Sequence, residues 1–223
     1  MVPSIAEKMM PSSEKIYMWH QDKRTEMQVL SGELFHTDGS RKYLTSEERA
    51  AFLAASRHFP RDVETFCHVL TYSGCRLAEA LALTADRVDL KTHSLTFETL
   101  KKRKRGVYRV VPVPPALATM LDHVHDLRRT QRRKDRGHTA RLWHWSPVTA
   151  WRKVKAVMDA AAITGYHASP KGLRHGFGVA AVQASIPLNL VQRWLGHAQL
   201  STTAIYAEAV GKEERDIAAR MWG

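Results

Sequence analysis

The residues best suited to chemistry fall between Lys171 and Tyr206. The chain reads Lys171-Gly-Leu-Arg174-His175, then a run of helical character, then Leu195-Gly-His197, and nine residues further on Tyr206. Cations ahead of a lone phenol, in a chain rich in positive charge, point to chemistry on a phosphate in which the phenol attacks. A phenol has a pKa of about 10, so it attacks efficiently only with positive charge or a base beside it.

These residues need a scaffold, and the flanking sequence outlines one. Thr45-Ser-Glu-Glu48 has the capping-box pattern, in which the hydroxyl satisfies an early N–H and Glu48 reaches back. It opens a helix through Phe52, Leu53 and His58 that Pro60 closes. A second helix carries Val63, Phe66, Cys67, Val69 and Leu70 as a buried stripe and breaks at Gly74; a third starts at Arg76 and runs past Glu79 to Leu83. From Asp89 the period changes to two. Residues 95–100 and 108–113 read as partner strands, joined by the basic hairpin tip Lys101-Lys-Arg-Lys-Arg-Gly106.

Pro114-Pro115 opens a helix through Leu117, Met120, Leu121 and Val124. The basic run 128–136 fits a solvated helix end as well as it fits a phosphate contact. Residues 146–155 form an N-capped helix with Pro near its first turn. Val148, Trp151, Val154 and Met158 are expected to face a core. Arg152, Lys153 and Lys155 are expected to face outward, where they could lie along a DNA groove. Further helices are predicted over 177–184, 188–195, 201–209 and 212–221. Residues 1–43 lack sustained periodicity and read as an extension or arm; within them 26–32 suits a short strand or a helical turn equally.

Composition narrows the partner. Lys and Arg total 34 against 22 Asp and Glu, a net charge of +12, which favours a polyanion such as nucleic acid or an anionic membrane. A hydrophobic fraction of 44% is ordinary for a globular protein, and 223 residues suffice for a substantial core. Cys67 and Cys75 sit in apolar surroundings and are read as buried free thiols in a reducing compartment. With no leader-like or spanning apolar run, a cytoplasmic, nucleoid-associated location is expected and no membrane partner. The pairs His123/His125 and Trp143-His-Trp145 lack metal-ligand spacing, so no metal site is expected.

Thr71-Tyr-Ser-Gly-Cys-Arg76-Leu-Ala-Glu79-Ala-Leu resembles the first signature box of the tyrosine recombinase (phage integrase) family. Lys171 to His175, Leu195-Gly-His197 and Thr203-Ala-Ile-Tyr206 resemble the second, so the resemblance covers roughly residues 44–210. It implies that Arg76 and Arg174 hold the charge building on the phosphate, for which planar, permanently charged forks are suited. Tyr206 would be the nucleophile of a 3′-phosphotyrosyl link, and His197 would hydrogen-bond the scissile phosphate. A hairpin lysine would protonate the leaving 5′-oxygen. Counting along the first strand gives Lys101, the preferred choice, and counting back along the second gives Lys104. The remaining tip cations, Arg105 among them, fit phosphate contact better than catalysis. Lys171 stands where the family commonly has His in His-x-x-Arg; it keeps a donor and a charge but loses a group that titrates near neutrality. His175 is read as structural and Glu79 as a group that orients its neighbours.

The implied fold is mainly α with a small antiparallel β-sheet: a catalytic domain over 44–223, including a C-terminal helical tail. The implied reaction is site-specific cleavage and rejoining of DNA, for integration, excision, inversion or resolution of a mobile element, with no cofactor. The partners implied are double-stranded DNA and three further copies in a tetramer on DNA, from a monomer or weak oligomer in its absence. Ile217, Met221 and Trp222 would dock on a neighbouring protomer. An accessory DNA-bending or clamp partner would make up for the core-binding domain that residues 1–43 are too short to form. Two rivals share these features: a non-catalytic DNA-binding regulator on the same fold, and a type IB topoisomerase-like nicking–closing enzyme.

Overall fold

A computed structural model describes residues 34–99, 106–133 and 139–209. In chain order the helices are α1 (Ser46–Ser56), α2 (Arg61–Ser73), α3 (Leu77–Leu81), α4 (Pro115–His125), α5 (Leu127–Arg132), α6 (Pro147–Ala160), α7 (Pro170–Gln183), α8 (Leu188–Leu195) and α9 (Ser201–Ala204). Between α3 and α4 lie strands β1 (Val88–Asp89), β2 (Ser94–Glu98) and β3 (Tyr108–Pro112), and α9 runs into a 3-10 turn, Ile205–Ala209. The expected helical tail, with Ile217, Met221 and Trp222, lies outside the described residues. Among those described, no helix is long and apolar enough to cross a membrane.

The local signals act as their chemistry requires. Glu48 N donates to Thr45 Oγ1 at 3.2 Å and Thr45 N donates to Glu48 Oε2 at 2.9 Å, which satisfies two amides at the start of α1. α2 is buried along almost its whole length, through Val63, Phe66, Cys67, Val69 and Leu70. It ends at Gly74, in the left-handed region with φ 59°. A Cβ there would also stand 2.5 Å from Phe177 Cδ1, so glycine is demanded twice, by backbone and by packing.

The sheet is antiparallel in the order β1-β2-β3, with Leu95 opposite Val111 and Phe97 opposite Arg109. Leu95, Phe97 and Val111 face the main core, while Tyr108 and Val110 stand exposed on the other side. Arg109 shares the inner face, its guanidinium 5.2 Å from the centre of the Phe97 ring. The main core spreads over α2, α4, α6 and the sheet; Trp143 is buried in it against Phe66, its indole N–H donating to Asp62 O at 2.8 Å. A second cluster joins Val179, Val191, Leu195 and Tyr206 with Leu34, which the segment expected to be an arm contributes. Cys67 and Cys75 are buried free thiols, and burial pushes Cys75 up to about 12.

Two expectations are corrected. On α6 the buried face is Ala150, Val154, Val157 and Met158, whereas Val148 and Trp151 are exposed. At about 100° per residue the stripe centres between Ala150 and Val154, which leaves Trp151 on its rim. Residues 171–175, expected ahead of a helix, lie inside α7. The helix starts at Pro170 because Ser169 caps it, its Oγ accepting from Gly172 N at 3.2 Å.

Candidate active site

Arg76 stands at the N-cap of α3, where its extended backbone turns the chain after Gly74. Its own N–H donates to Glu79 Oε2 at 2.8 Å and its Nη1 to Glu79 Oε1 at 2.8 Å, so the guanidinium is steered by the helix it opens. Glu79 is buried and also receives Arg109 Nη2 at 2.7 Å. Burial would raise the Glu79 carboxyl; the hydrogen bond and charge of Arg109, with Arg76 behind it, outweigh that and hold it below the usual carboxylate range.

Arg174, on the first turns of α7, crosses to two helix ends. Nη1 donates to Gly74 O and Nη2 to Leu195 O, both at 2.7 Å. Carbonyls at helix C-termini lack partners within the helix and carry partial negative charge, which suits a buried cation. Burial first, then the like charge of Arg76, brings Arg174 down to about 10, so it stays charged at neutral pH. α2, α7 and α8 are thus tied together by the same guanidinium that faces the cavity.

His197 follows the left-handed Gly196 that ends α8. Its Nδ1 lies 2.9 Å from the Oγ1 of buried Thr203. Burial, then Arg174 and Arg76, push His197 down to about 3, so the ring is neutral. If Thr203 donates to Nδ1, Nε2 keeps the proton and can donate in turn. The ring also stacks on Tyr206, with centroids 6.2 Å apart and planes at 18°.

Tyr206, in the 3-10 turn after α9, is 1% exposed, so its surroundings govern its phenol. Burial raises its pKa, while Arg174 and then Arg76 pull the other way. The ring lies over Gly178 of α7, where a Cβ would stand 2.5 Å from Tyr206 Cζ. The hydroxyl meets His175 Nδ1 at 3.2 Å.

Arg76, Lys171, Arg174, His197 and Tyr206 line one cavity of about 580 Å³, with His175, Lys42 and Trp151 also on its wall. Two guanidiniums, an ammonium and a neutral imidazole ring thus converge with a phenol. Such walls suit a tetrahedral anion, with a nucleophile at hand. Lys101, Lys104 and Arg105 lie outside the described residues. The α6 cations stand off the cavity wall. Arg152 is exposed, Lys153 Nζ lies 4.8 Å from the Trp145 ring centre, and Lys155 Nζ donates to Ala168 O at 3.1 Å.

Sequence reasoning missed Arg109, which no local pattern marks as buried, and it assigned no chemistry to His175, Thr203 or Trp151. Thr203 lies inside the second box, and its spacing from His197 is the signal that marks it. Among the described residues no group of three His, Cys, Asp or Glu side chains could hold a metal ion.

A family model described as "Phage integrase family" matches residues 42–213. Among curated proteins, the tyrosine recombinase XerA of Pyrococcus furiosus is 31% identical over 145 residues, covering 59% of this chain and 47% of the relative. The tyrosine recombinase XerD of Mycobacterium tuberculosis is 33% identical over 144 residues, covering 61% and 45%. The chain therefore spans about half the length of these curated relatives. Among solved structures, a XerA recombinase superposes with a TM-score of 0.66 at 23% identity, covering 80% of this chain and 64% of that one. A XerH site-specific recombinase bound to its difH substrate gives 0.64 at 20% identity, covering 85% and 60%. At these identities the superpositions speak for the fold, a recombinase catalytic domain of helices around a small sheet.

Proposed function

Because the chain belongs to the phage integrase family, we propose that it cleaves and rejoins DNA strands at a specific site, with Tyr206 as the attacking group. The observation that carries this reading is the convergence of Arg76, Lys171, Arg174, His197 and Tyr206 on one cavity. A scissile phosphate there would receive Arg76 and Arg174 on its non-bridging oxygens, with Lys171 and His197 Nε2 adding donors. The phenol forms a bond to phosphorus as the 5′-oxygen leaves, and the hairpin lysine, Lys101 in preference to Lys104, gives that oxygen its proton. The phosphodiester energy stays in the phosphotyrosyl link, so a 5′-hydroxyl can reverse the step without ATP. The guanidiniums supply the charge that a metal ion would otherwise supply.

Arg105, Arg152, Lys153 and Lys155 are assigned to the flanking DNA backbone, a role the net charge of +12 favours. The domain is taken as residues 44–223 with 1–43 as an arm, acting as a tetramer on DNA. Solved relatives described as bound to their DNA substrate lend weight to a duplex partner. The test is a nicked duplex carrying the site that the protein selects from a randomised pool. A covalent protein–DNA complex on a denaturing gel, present with the native protein and absent with Tyr206→Phe, is expected. Selective binding with no such complex would overturn the assignment of the nucleophile.

A further inference from the structure

Attack of the phenol on phosphorus requires that its proton go somewhere, and the Tyr206 hydroxyl already meets a ring nitrogen of His175. We propose that His175, through Nδ1, accepts the Tyr206 proton as Oη attacks; the proposal rests on Tyr206 being the nucleophile. Nδ1 is already 3.2 Å from Oη, within hydrogen-bond reach. The two rings hold that approach from opposite elements, His175 on α7 and Tyr206 in the turn after α9, with centroids 5.9 Å apart. Gly178, one turn further along α7, lets the phenol lie against the helix that carries His175.

The electrostatics keep Nδ1 free to accept. Burial first, then Lys171, Arg174 and Lys42, bring His175 down to about 4, so the ring is neutral at pH 7 and its Nε2–H tautomer presents the Nδ1 lone pair to the phenol. Of the other titratable rings, His197, also neutral, stacks on the phenol, and Tyr43 packs against the cluster that holds it. A base this weak takes the proton late. The phenol grows more acidic as Oη bonds phosphorus, and the bound phosphodiester offsets the charges of Lys42, Lys171 and Arg174. The step balances: the Oη–phosphorus bond forms, the phosphorus–O5′ bond breaks, the phenol proton moves to His175 Nδ1, and O5′ takes the hairpin lysine's proton. Religation runs the same transfers backwards.

The test uses the full chain and the selected duplex with a 5′-bridging phosphorothiolate, whose thiolate leaves without a proton, so that the hairpin lysine drops out. His175→Asn keeps an acceptor near the Nδ1 position but cannot take up a proton; His175→Gln is the second variant, with folding checked by thermal melting. Expected is a fall of about 100-fold in the single-turnover rate of adduct formation at pH 7 at unchanged DNA affinity. The native rate should fall on the acid side as His175 protonates. The variants should lack that limb and gain rate steadily towards pH 10 as the free phenolate forms. Variants within a few-fold of native with the same pH profile would overturn the proposal, and faster variants would make the contact a restraint. Native protein yielding no Tyr206-dependent adduct would instead bring down the nucleophile assignment, and this proposal with it.

Discussion

Arg109 of β3 and Glu79 of α3, thirty residues apart, form a buried ion pair at 2.7 Å, and Glu79 in turn aims Arg76 at the cavity. The sheet is thereby locked to the helix that presents Arg76 to the cavity. Arg109 Nε also donates to Trp194 O at 2.7 Å near the end of α8, so the same cation braces the segment leading to His197.

Breaking this pair should cost stability and site order together. Removing one partner strands the other's charge, typically about 3–5 kcal/mol. Arg109→Met should therefore lower the melting temperature by roughly 10 °C in a chain of this size, and Glu79→Gln should act in the same direction. The pH dependence follows from the depressed Glu79 carboxyl. Its stabilisation is fully present above the unfolded value, about 4.3, and drains away as pH falls through the folded value below it. Chemical denaturation at pH 7 and pH 3 should show the native protein losing this increment and Glu79→Gln losing less. Parallel losses in both would remove the pair from the account.

Arg174→Lys should be far from conservative. An ammonium on a flexible stem cannot hold Gly74 O and Leu195 O together and still offer donors in a plane. Adduct formation should fall about 10²–10³-fold, the scale of losing one oxyanion donor. The melting temperature should fall too, since helix ends lose a shared clamp. Near-native cleavage by Arg174→Lys, measured by quenched-flow on a nicked duplex, would mean the guanidinium is structural only.

Much of this was legible because local chemistry and tertiary need agree. Thr45 and Glu48 mark a helix start that nothing else contests, and Gly74 marks a stop that backbone and Phe177 both require. The two strands followed from a change of period. Arg109 was not legible, because Tyr108 and Val110 on one face and Arg109 and Val111 on the other each mix apolar with polar character. Which face is inward is decided by Glu79, a residue far away in sequence. Trp151 misled for a related reason. A tryptophan at helical spacing from Val154 and Met158 looks like core, and only the position of the cavity shows that the rim is open there. The contact between His175 and Tyr206 depends on how α7 meets the turn after α9, which no spacing encodes.

Thr203 should act on His197 through its tautomer. Where Oγ1 donates to Nδ1 across the 2.9 Å between them, Nε2 carries the ring proton, on a side chain that lines the cavity. Thr203→Val keeps the shape and removes the donor, so Nδ1–H competes and fewer molecules offer Nε2–H. Adduct formation should drop about tenfold, on the scale of a supporting hydrogen bond to a reacting group, and Thr203→Ser should restore it. Nitrogen-15 shifts of the His197 ring report the tautomer directly. A Val variant with the native tautomer and a slowed rate would place the effect in packing.

Gly178→Ala tests whether the phenol's seat on α7 sets its reactivity. The added methyl carbon would meet Tyr206 Cζ at 2.5 Å, too close to coexist, so the ring has to move off the helix. Alanine is otherwise favourable within a helix by roughly 1 kcal/mol over glycine, whereas overpacking costs about 1–3 kcal/mol. Net stability should thus change little or fall modestly. The larger effect should be on chemistry, because displacing Oη breaks its contact with His175 and shifts the phenol relative to Arg76 and Arg174 on the cavity wall. Adduct formation is expected to fall at least tenfold, since small misplacements of a reacting group are costly, while binding to the selected duplex is unchanged. A Gly178→Ala protein that cleaves at the native rate would mean that Tyr206 leaves this seat before it attacks, and that the turn after α9, not α7, positions it for the reaction.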